Sequence, residues 1–486
     1  MAYSVINKST SHFNTLTWQG NGNATRSFTG VGFQPDLSWY KNRSATANHG
    51  LTDSIRGVNK IVQSSTTSAE ITDPSSGYLS SFDSDGFSVQ AGSSSTANYN
   101  TNSENYVTWN WLAGGAAPTK TYKVVVVSDG GNKYRFRNSG DTATFGASAV
   151  TLDLQEGGTY TFDVSDSTMN SHPFVIGTAA NSSEYSTGIT YKLDGVTKTY
   201  SQYTSGFSAA TTRQLIITVP ASAPALYYWC SVHSGMGGAI NTNATHGSSN
   251  FDGNIKTLVS ANTSSGFSII KYTGDGSASG TLGHGLGATP AAVWMRPLGY
   301  TGAWWITNHK MPDSNVLEFN TNSQAAISSF SGGGLKQEDF TSTTISGGNG
   351  SSDSGLWNGS GQDYIAYCFA QVNGFSKFGK YIGNDNTNGS FIYTGFKPRF
   401  VMIKHNGSSN WTINDSVRDV SNPNAARAFP NQNVTESTGS ESMDLYSNGF
   451  KLKSTDGGNN GAGNSYYYWA FGQPLVGSNN VPATAF

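Results

Sequence analysis

The chain has 486 residues, 36% of them hydrophobic and only 12% charged, with a formal net charge of −2. That length implies several domains rather than one core, and the near-neutral balance offers no basic field for nucleic acid and no acidic tail. Its 58 glycines, abundant small polar residues and 12% aromatics exclude a disordered chain, which would lack the aromatics, and suit short strands joined by tight turns.

Two cysteines in so long a chain exclude a disulfide framework, and Cys230 and Cys368 lie in segments of different character, so they are read as unpaired. Residues 1–10 (MAYSVINKST) hold no apolar h-region, so no secretory signal is read there, and no apolar run is long enough to span a membrane. Sequons such as those at Asn7, Asn23 and Asn42 are what Asn, Ser and Thr richness produces by itself.

In chain order, the first pattern is a repeat. Residues 1–116 carry Gly32-Phe33-Gln34-Pro35 running into Asp36–Lys41. Asp53-Ser54-Ile55-Arg56 follows, then the turn signal Asp85-Gly86-Phe87 and a closing run, Tyr106-Val107-Thr108-Trp109-Asn110-Trp111. Residues 374–476 repeat the order with Gly395-Phe396-Lys397-Pro398, Asp415-Ser416-Val417-Arg418, Asn448-Gly449-Phe450 and Tyr466–Phe471. Residues 266–373 are a more divergent copy. It keeps Thr289-Pro290 before Ala291–Arg296 and closes with Asp363–Ala370, but Asp-Ser-x-Arg is missing and Trp304-Trp305-Ile306-Thr307 lies in that region.

Each element has a structural meaning. The proline fixes φ at a strand entry, where its missing N–H does no harm. Asp-Gly-Phe and Asn-Gly-Phe are turns into a strand. The closing aromatic run predicts a strand with two packed faces. Asp53 with Arg56, and Asp415 with Arg418, are spaced for local ion pairs, read as structural rather than ligand-binding.

A different domain is expected at 117–243. Tyr122–Val127, Tyr134–Phe136, Val150–Leu154, Thr159–Phe162, Gln214–Val219 and Leu226–Cys230 read as strands of a small β-sandwich. Residues 244–265 are polar and read as a connector, and 477–486 as a C-terminal tail.

The loop after Leu226–Cys230 carries the chemistry. Cys230, His233 and Met236 sit on one tight turn among Gly235, Gly237 and Gly238, with His172 upstream in Ser171-His172-Pro173-Phe174. A thiolate, two imidazoles and a weak thioether are the ligand set of blue copper electron-transfer centres. With the strand pattern around it, the segment resembles a cupredoxin domain with the ligand-loop spacing of pseudoazurin or amicyanin. The resemblance implies His172, Cys230, His233 and Met236 as ligands of one copper ion, and the ligand set leaves its occupancy open.

The repeats resemble a domain of tail-fibre-like and other structural proteins of marine phages, including cyanophages. The resemblance rests on residues 32–41, 53–57, 82–87, 266–276, 364–370 and 393–398. The expected fold is all-β, a multi-domain array of β-sandwich or jelly-roll-like modules with one cupredoxin-like sandwich. The resemblance implies a virion protein, assembled in a bacterial cytoplasm and released by lysis. It would be a tail fibre or appendage for host-surface attachment, with a capsid-decorating protein or head fibre as the alternative, and a displayed copper redox module as a further one. The expected partners are other virion proteins, a host-surface glycan or receptor, and further copies of the chain, a homotrimer being favoured. No nucleic acid and no membrane insertion are expected. No pair of facing carboxylates stands out, so no enzyme is expected. Trp304, Trp305 and Trp411 are the candidate glycan-stacking faces, set against a buried role for each.

Overall fold

The computed structural model describes residues 4–312, 316–321, 335–347, 357–439 and 443–476; the expected tail at 477–486 lies outside them. The chain is all-β, built from several separate sheets, and no helix among the described residues is long and apolar enough to cross a membrane. It divides into two compact units. Unit 1 is Met1–Ala113, Ala261–Gly280 and Leu286–Phe486, and unit 2 is Gly114–Ser260 and Thr281–Gly285.

Unit 1 contains all three repeats. In each, the opening strand pairs antiparallel with the closing strand, which pairs in turn with the strand after the proline. The first copy aligns Phe13–Gln19, Asn105–Trp111 and Leu37–Asn42; the second aligns Phe267–Thr273, Asp363–Phe369 and Ala292–Pro297; the third aligns Ser376–Ile382, Ser465–Pro474 and Phe396–His405. The register is shared, since Phe13 faces Trp111, Phe267 faces Phe369 and Ser376 faces Phe471. The closing strands are buried on both faces, as their aromatic runs predict.

In the first and third copies one face of the main sheet packs within its own copy. In the first copy it meets the three-stranded sheet of Thr25–Thr29, Gly86–Gln90 and Tyr78–Asp83, and in the third that of Phe391–Tyr393, Gly449–Leu452 and Met443–Tyr446. The other faces meet one another. Trp111, Phe369 and Phe471, equivalent by register, come together with ring centroids 5.7 Å apart (Trp111–Phe471) and 5.6 Å apart (Phe369–Phe471), and Trp39 and Trp294 pack edge to face at 5.7 Å. Aromatic side chains on both sides of the closing strands leave no copy able to cover its own core, and the three copies close around a common one.

Polar contacts between copies follow a cyclic rule. Trp109 Nε1 of the first copy donates to Asp415 of the third (2.9 Å), and Tyr367 Oη of the second donates to Asp53 of the first (2.8 Å). The equivalent residue of the third copy is Trp469. Register places Asn308 of the second copy where Asp53 and Asp415 stand, and Met311 where Arg56 and Arg418 stand. Asn308 Nδ2 donates to the Tyr468 carbonyl (3.2 Å), and the buried Trp469 Nε1 has no hydrogen-bond partner among the described residues. The buried cations of the first two copies obey the same rule, while Lys404 of the third donates to its own copy's His405 and Gly407 carbonyls. Lys41 reaches the Asn433 carbonyl of the third copy and Arg296 the Gln63 carbonyl of the first.

The Asp–Arg pairs are local, as their spacing predicts, and fully buried. Arg56 binds Asp53 and Glu70 (2.8 Å to the latter), and Arg418 binds Asp415 and Glu436 (2.7 Å to the latter). Each guanidinium also donates to a backbone carbonyl, of Leu51 and Ile413 respectively. Burial opposes the charge on Asp415, but Arg418 and its hydrogen bonds prevail and hold the carboxyl below its ordinary range.

Trp304 and Trp411 are fully buried and Trp305 is 4% exposed. Trp304 Nε1 donates to the Gln63 carbonyl and Trp411 Nε1 to the Glu318 carbonyl, both at 2.8 Å. None of the three presents a face on which a sugar could stack, so the glycan-stacking expectation for them is corrected. The shared core needed large rings, and a buried indole finds an acceptor for its N–H.

Unit 2 is a sandwich of two sheets. One is ordered Asn132–Phe136, Thr119–Ser128, Thr159–Asp163, Arg213–Thr218, Ile189–Leu193 and Val196–Lys198. The other is ordered Leu152–Gln155, Gly238–Asn243, Leu226–Cys230, Phe174–Ala179 and Ser182–Glu184. The expected boundary at 243 is too early. Phe251 stacks on Phe136 at 4.9 Å inside this core, the Ser248 and Tyr160 hydroxyls lie 2.7 Å apart, and Tyr122 Oη donates to the Ser249 carbonyl. The polar segment expected as a connector at 244–265 thus belongs to unit 2 as far as Ser260.

Candidate metal centre

Alternation sets the first candidate ligand. Along Leu226–Cys230 the side chains of Leu226, Tyr228 and Cys230 turn into the core while Tyr227 and Trp229 turn out. Cys230 is therefore the last inward residue of its strand, 2% exposed. The strand Phe174–Ala179 runs antiparallel beside it with Phe174 facing Cys230, and Ser231 N donates to the Pro173 carbonyl (3.1 Å). Carrying the register on by two residues brings His172 to the same end of the sandwich as the 231–236 loop.

The three side chains converge. Cys230 Sγ lies 3.9 Å from His172 Nδ1 and 3.7 Å from His233 Nδ1, the imidazole centroids are 4.7 Å apart, and the ligating atoms all lie within 4.8 Å of one another. Metal–nitrogen and metal–sulfur bonds of about 2.0 and 2.3 Å, opened to a tetrahedral angle or wider, separate their donors by roughly 3.5–3.9 Å. Both thiol–imidazole distances fit one ion. It is the one such His, Cys, Asp and Glu cluster among the described residues.

Neighbouring residues fix these side chains. His172 N donates to the Met169 carbonyl (2.8 Å), Tyr134 Oη donates to the His172 carbonyl (2.9 Å), and Asn132 Nδ2 lies 3.5 Å from His172 Nε2. Asn132 thus sits against the ring nitrogen opposite the one that faces the thiol. The loop is tied down by Lys133 Nζ on the Gly235 carbonyl and by Gly235 N on Asn181 Oδ1 (2.9 Å), with Gly235 at φ +73°. Burial, reinforced by the charge of His233, holds His172 below the ordinary histidine range, which favours the neutral imidazole a metal needs.

Met236 is 1% exposed and belongs to the same buried cluster as Cys230, with its carbonyl accepting from Tyr134 N (2.9 Å). His233 is exposed, and next to it Val232 is 65% exposed. The converging group therefore has a buried thiol and one imidazole at the surface, with the buried Met236 further along the same loop. The residues fit a copper ion in kind as well as spacing, because a thiolate with two imidazoles suits copper or zinc and a thioether favours copper. Sequence reasoning missed Asn132, Lys133, Tyr134 and Asn181. Only position marks them, Asn132–Tyr134 on the opposite sheet and Asn181 in the turn after Phe174–Ala179 on the same one, and no local motif does.

No curated protein and no solved structure matches the chain. A family model described as Domain of unknown function (DUF7483) matches residues 8–133 and 238–474. The gap between the two matched stretches holds His172, Cys230, His233 and Met236, so the candidate metal-ligand residues fall outside what the family model describes. The match spans most of the chain, and the protein belongs to the DUF7483 family.

Proposed function

We propose that the chain is a structural protein of a phage particle, a tail fibre or similar appendage, that carries a mononuclear copper site in unit 2. The observation that carries the copper reading is the convergence of the Cys230 thiol with the Nδ1 atoms of His172 and His233. Copper held there would supply one-electron transfer. The residues' own contributions are separate. Cys230 and Met236 keep one side of the site dry, Tyr134 and Asn132 orient His172, and the exposed His233 connects the site to the surface.

The structural reading is supported by the use unit 1 makes of its reactive side chains. Its Asp–Arg pairs and most of its tryptophans are sealed in the core that joins the copies, which suits a rigid scaffold. The resemblance of the repeats to phage structural domains supplies the setting.

Titrating the purified full chain with Cu(II) tests the first half. An intense visible thiolate-to-copper absorption at one equivalent is expected, and Cys230→Ser should abolish it. A colourless protein that retains no copper would refute the copper reading. Antibody labelling of intact particles tests the second half. Label on the tail is expected, label on the head would favour the decoration alternative, and unlabelled particles would remove the virion reading.

A further inference from the structure

We infer that the outer face of the small sheet in the third copy is a binding platform for an acidic glycan, which deepens the host-attachment reading by naming a ligand class and a place. The three strands Phe391–Tyr393, Gly449–Leu452 and Met443–Tyr446 lie side by side in that order. Their inward residues, among them Ile392, Phe450 and Leu445, are buried. Their outward residues are Phe391, Tyr393, Lys451, Tyr446 and Asp444.

Phe391 is 46% exposed and Tyr393 52% exposed. They point the same way from one strand, about 7 Å apart along it. Gly449 leaves the middle strand bare between Tyr393 and Tyr446, and Phe391 leans across it, its Cζ 2.8 Å from where a β-carbon would stand. Phe391 and Tyr446 meet edge to face at 6.0 Å. The result is an open aromatic surface on a strand rather than one stray ring.

The first copy shows that the fold does not require it. The residues paired in the same register there are Ser27, Thr29, Ser81, Asp83 and Ser88. They satisfy one another, with Ser27 and Ser88 hydroxyls 2.7 Å apart and both Ser81 and Ser88 donating to Asp83. The inward positions stay apolar in both copies, Phe28 matching Ile392 and Phe87 matching Phe450. Only the outward set has changed, from small hydroxyls to rings and a lysine.

Charge selects the occupant. Lys377 Nζ sits 5.2 Å from the Tyr393 ring centroid and donates to the Tyr393 carbonyl, and Lys451 stands directly across from Phe391 and reaches Asn388. The acid on this face, Asp444, is 8% exposed, accepts from Tyr446 Oη (2.8 Å) and lies 3.7 Å from Lys453 Nζ. Ring faces that stack on the C–H faces of pyranoses, flanked by ammonium groups, match a uronate-bearing saccharide.

The test uses the full chain with an oligogalacturonate as the acidic probe and a maltooligosaccharide of equal length as the neutral one, read by calorimetry. The acidic probe should bind more tightly, and added salt should weaken it. Phe391→Ser with Tyr393→Thr installs the first copy's residues. It should weaken binding at least about tenfold, the sum of two modest ring contacts, with thermal midpoint unchanged. Lys377→Gln with Lys451→Gln should remove the preference for the acidic probe while leaving the rings in place. No binding of the acidic probe, equal binding by the Ser/Thr variant, or equal affinity for both probes would each overturn the inference. Particle labelling reads the virion setting separately, so the two failures cannot be confused.

Discussion

Arg418→Met should be among the most damaging single substitutions in unit 1, and Asp415→Asn should then repair much of the harm. Arg418 is fully buried and holds Asp415, Glu436 and the Ile413 carbonyl. Without it, Asp415 keeps its backbone donors and Trp109 Nε1 but loses its ion-pair partner, with only Arg399, outside ion-pair contact, still sensing its charge, and breaking a buried pair by removing one partner costs about 3–5 kcal/mol. Glu436 is not stranded, because Arg43 binds it at 2.7 Å. The double variant reproduces the Asn308 and Met311 that the second copy uses at the same positions. Its residual cost is the Trp109 N–H turned away from a carboxylate, about 1–3 kcal/mol. The double variant should therefore be about 2 kcal/mol more stable than Arg418→Met alone. Ten of the eleven tryptophans lie in unit 1, so urea unfolding followed by tryptophan fluorescence reads this unit. A single variant within about 1 kcal/mol of the parent, or a double variant no better than the single, would refute the reasoning.

The converse exchange concerns the third interface. Met311 borders an open cleft of about 440 Å3 with His309 and Gln337, so a guanidinium has room there. Asn308→Asp alone should destabilise unit 1, and Asn308→Asp with Met311→Arg should be more stable than that single variant, with Trp469 Nε1 gaining an acceptor; the urea midpoint checks both. A pH effect follows from Lys41 and Lys404, whose ammonium groups burial lowers to about 8. Their folded values lie below the unfolded one, so the unfolded chain binds more protons and stability rises with pH from about 8 toward 10. Between pH 8 and 9.5 the gain should be up to about 2 kcal/mol per lysine, and Lys41→Met should remove about half of it in fluorescence-monitored urea unfolding at the two pH values.

How far the sequence reached depended on whether a residue's partner was local. Asp53 with Arg56, the turn at Asn448-Gly449 and the approach of Cys230 to His233 are each contained within a few positions, and each formed where the pattern placed it. His172 was legible although 58 residues from Cys230, because a strand end beside a thiol-bearing strand end is a short list of places. Closure of the three copies was not legible. It is made by pairs such as Trp109 with Asp415, 306 residues apart, that no periodicity links. The same ignorance misread the tryptophans. Composition reports a large aromatic side chain at 304, 305 and 411 but cannot say which side of a sheet it occupies, whereas Phe391 and Tyr393, in a plain alternating run, drew no notice. Asn308-His309-Lys310-Met311 escaped recognition because both members of the ion pair are absent together, which leaves the geometry intact and the motif unrecognisable.

The closed arrangement of three copies on a single polypeptide has a consequence for divergence. In an assembly of identical chains, any substitution is displayed three times, and a change that harms one junction harms all. Here each copy is inherited separately. One junction can drop its ions for amides, one edge can acquire rings, and a second unit bearing a His-Cys-His group can be spliced between two copies without being multiplied. The cost is that no junction can be corrected by exchange with another chain, so every asymmetry must be tolerated within the same fold.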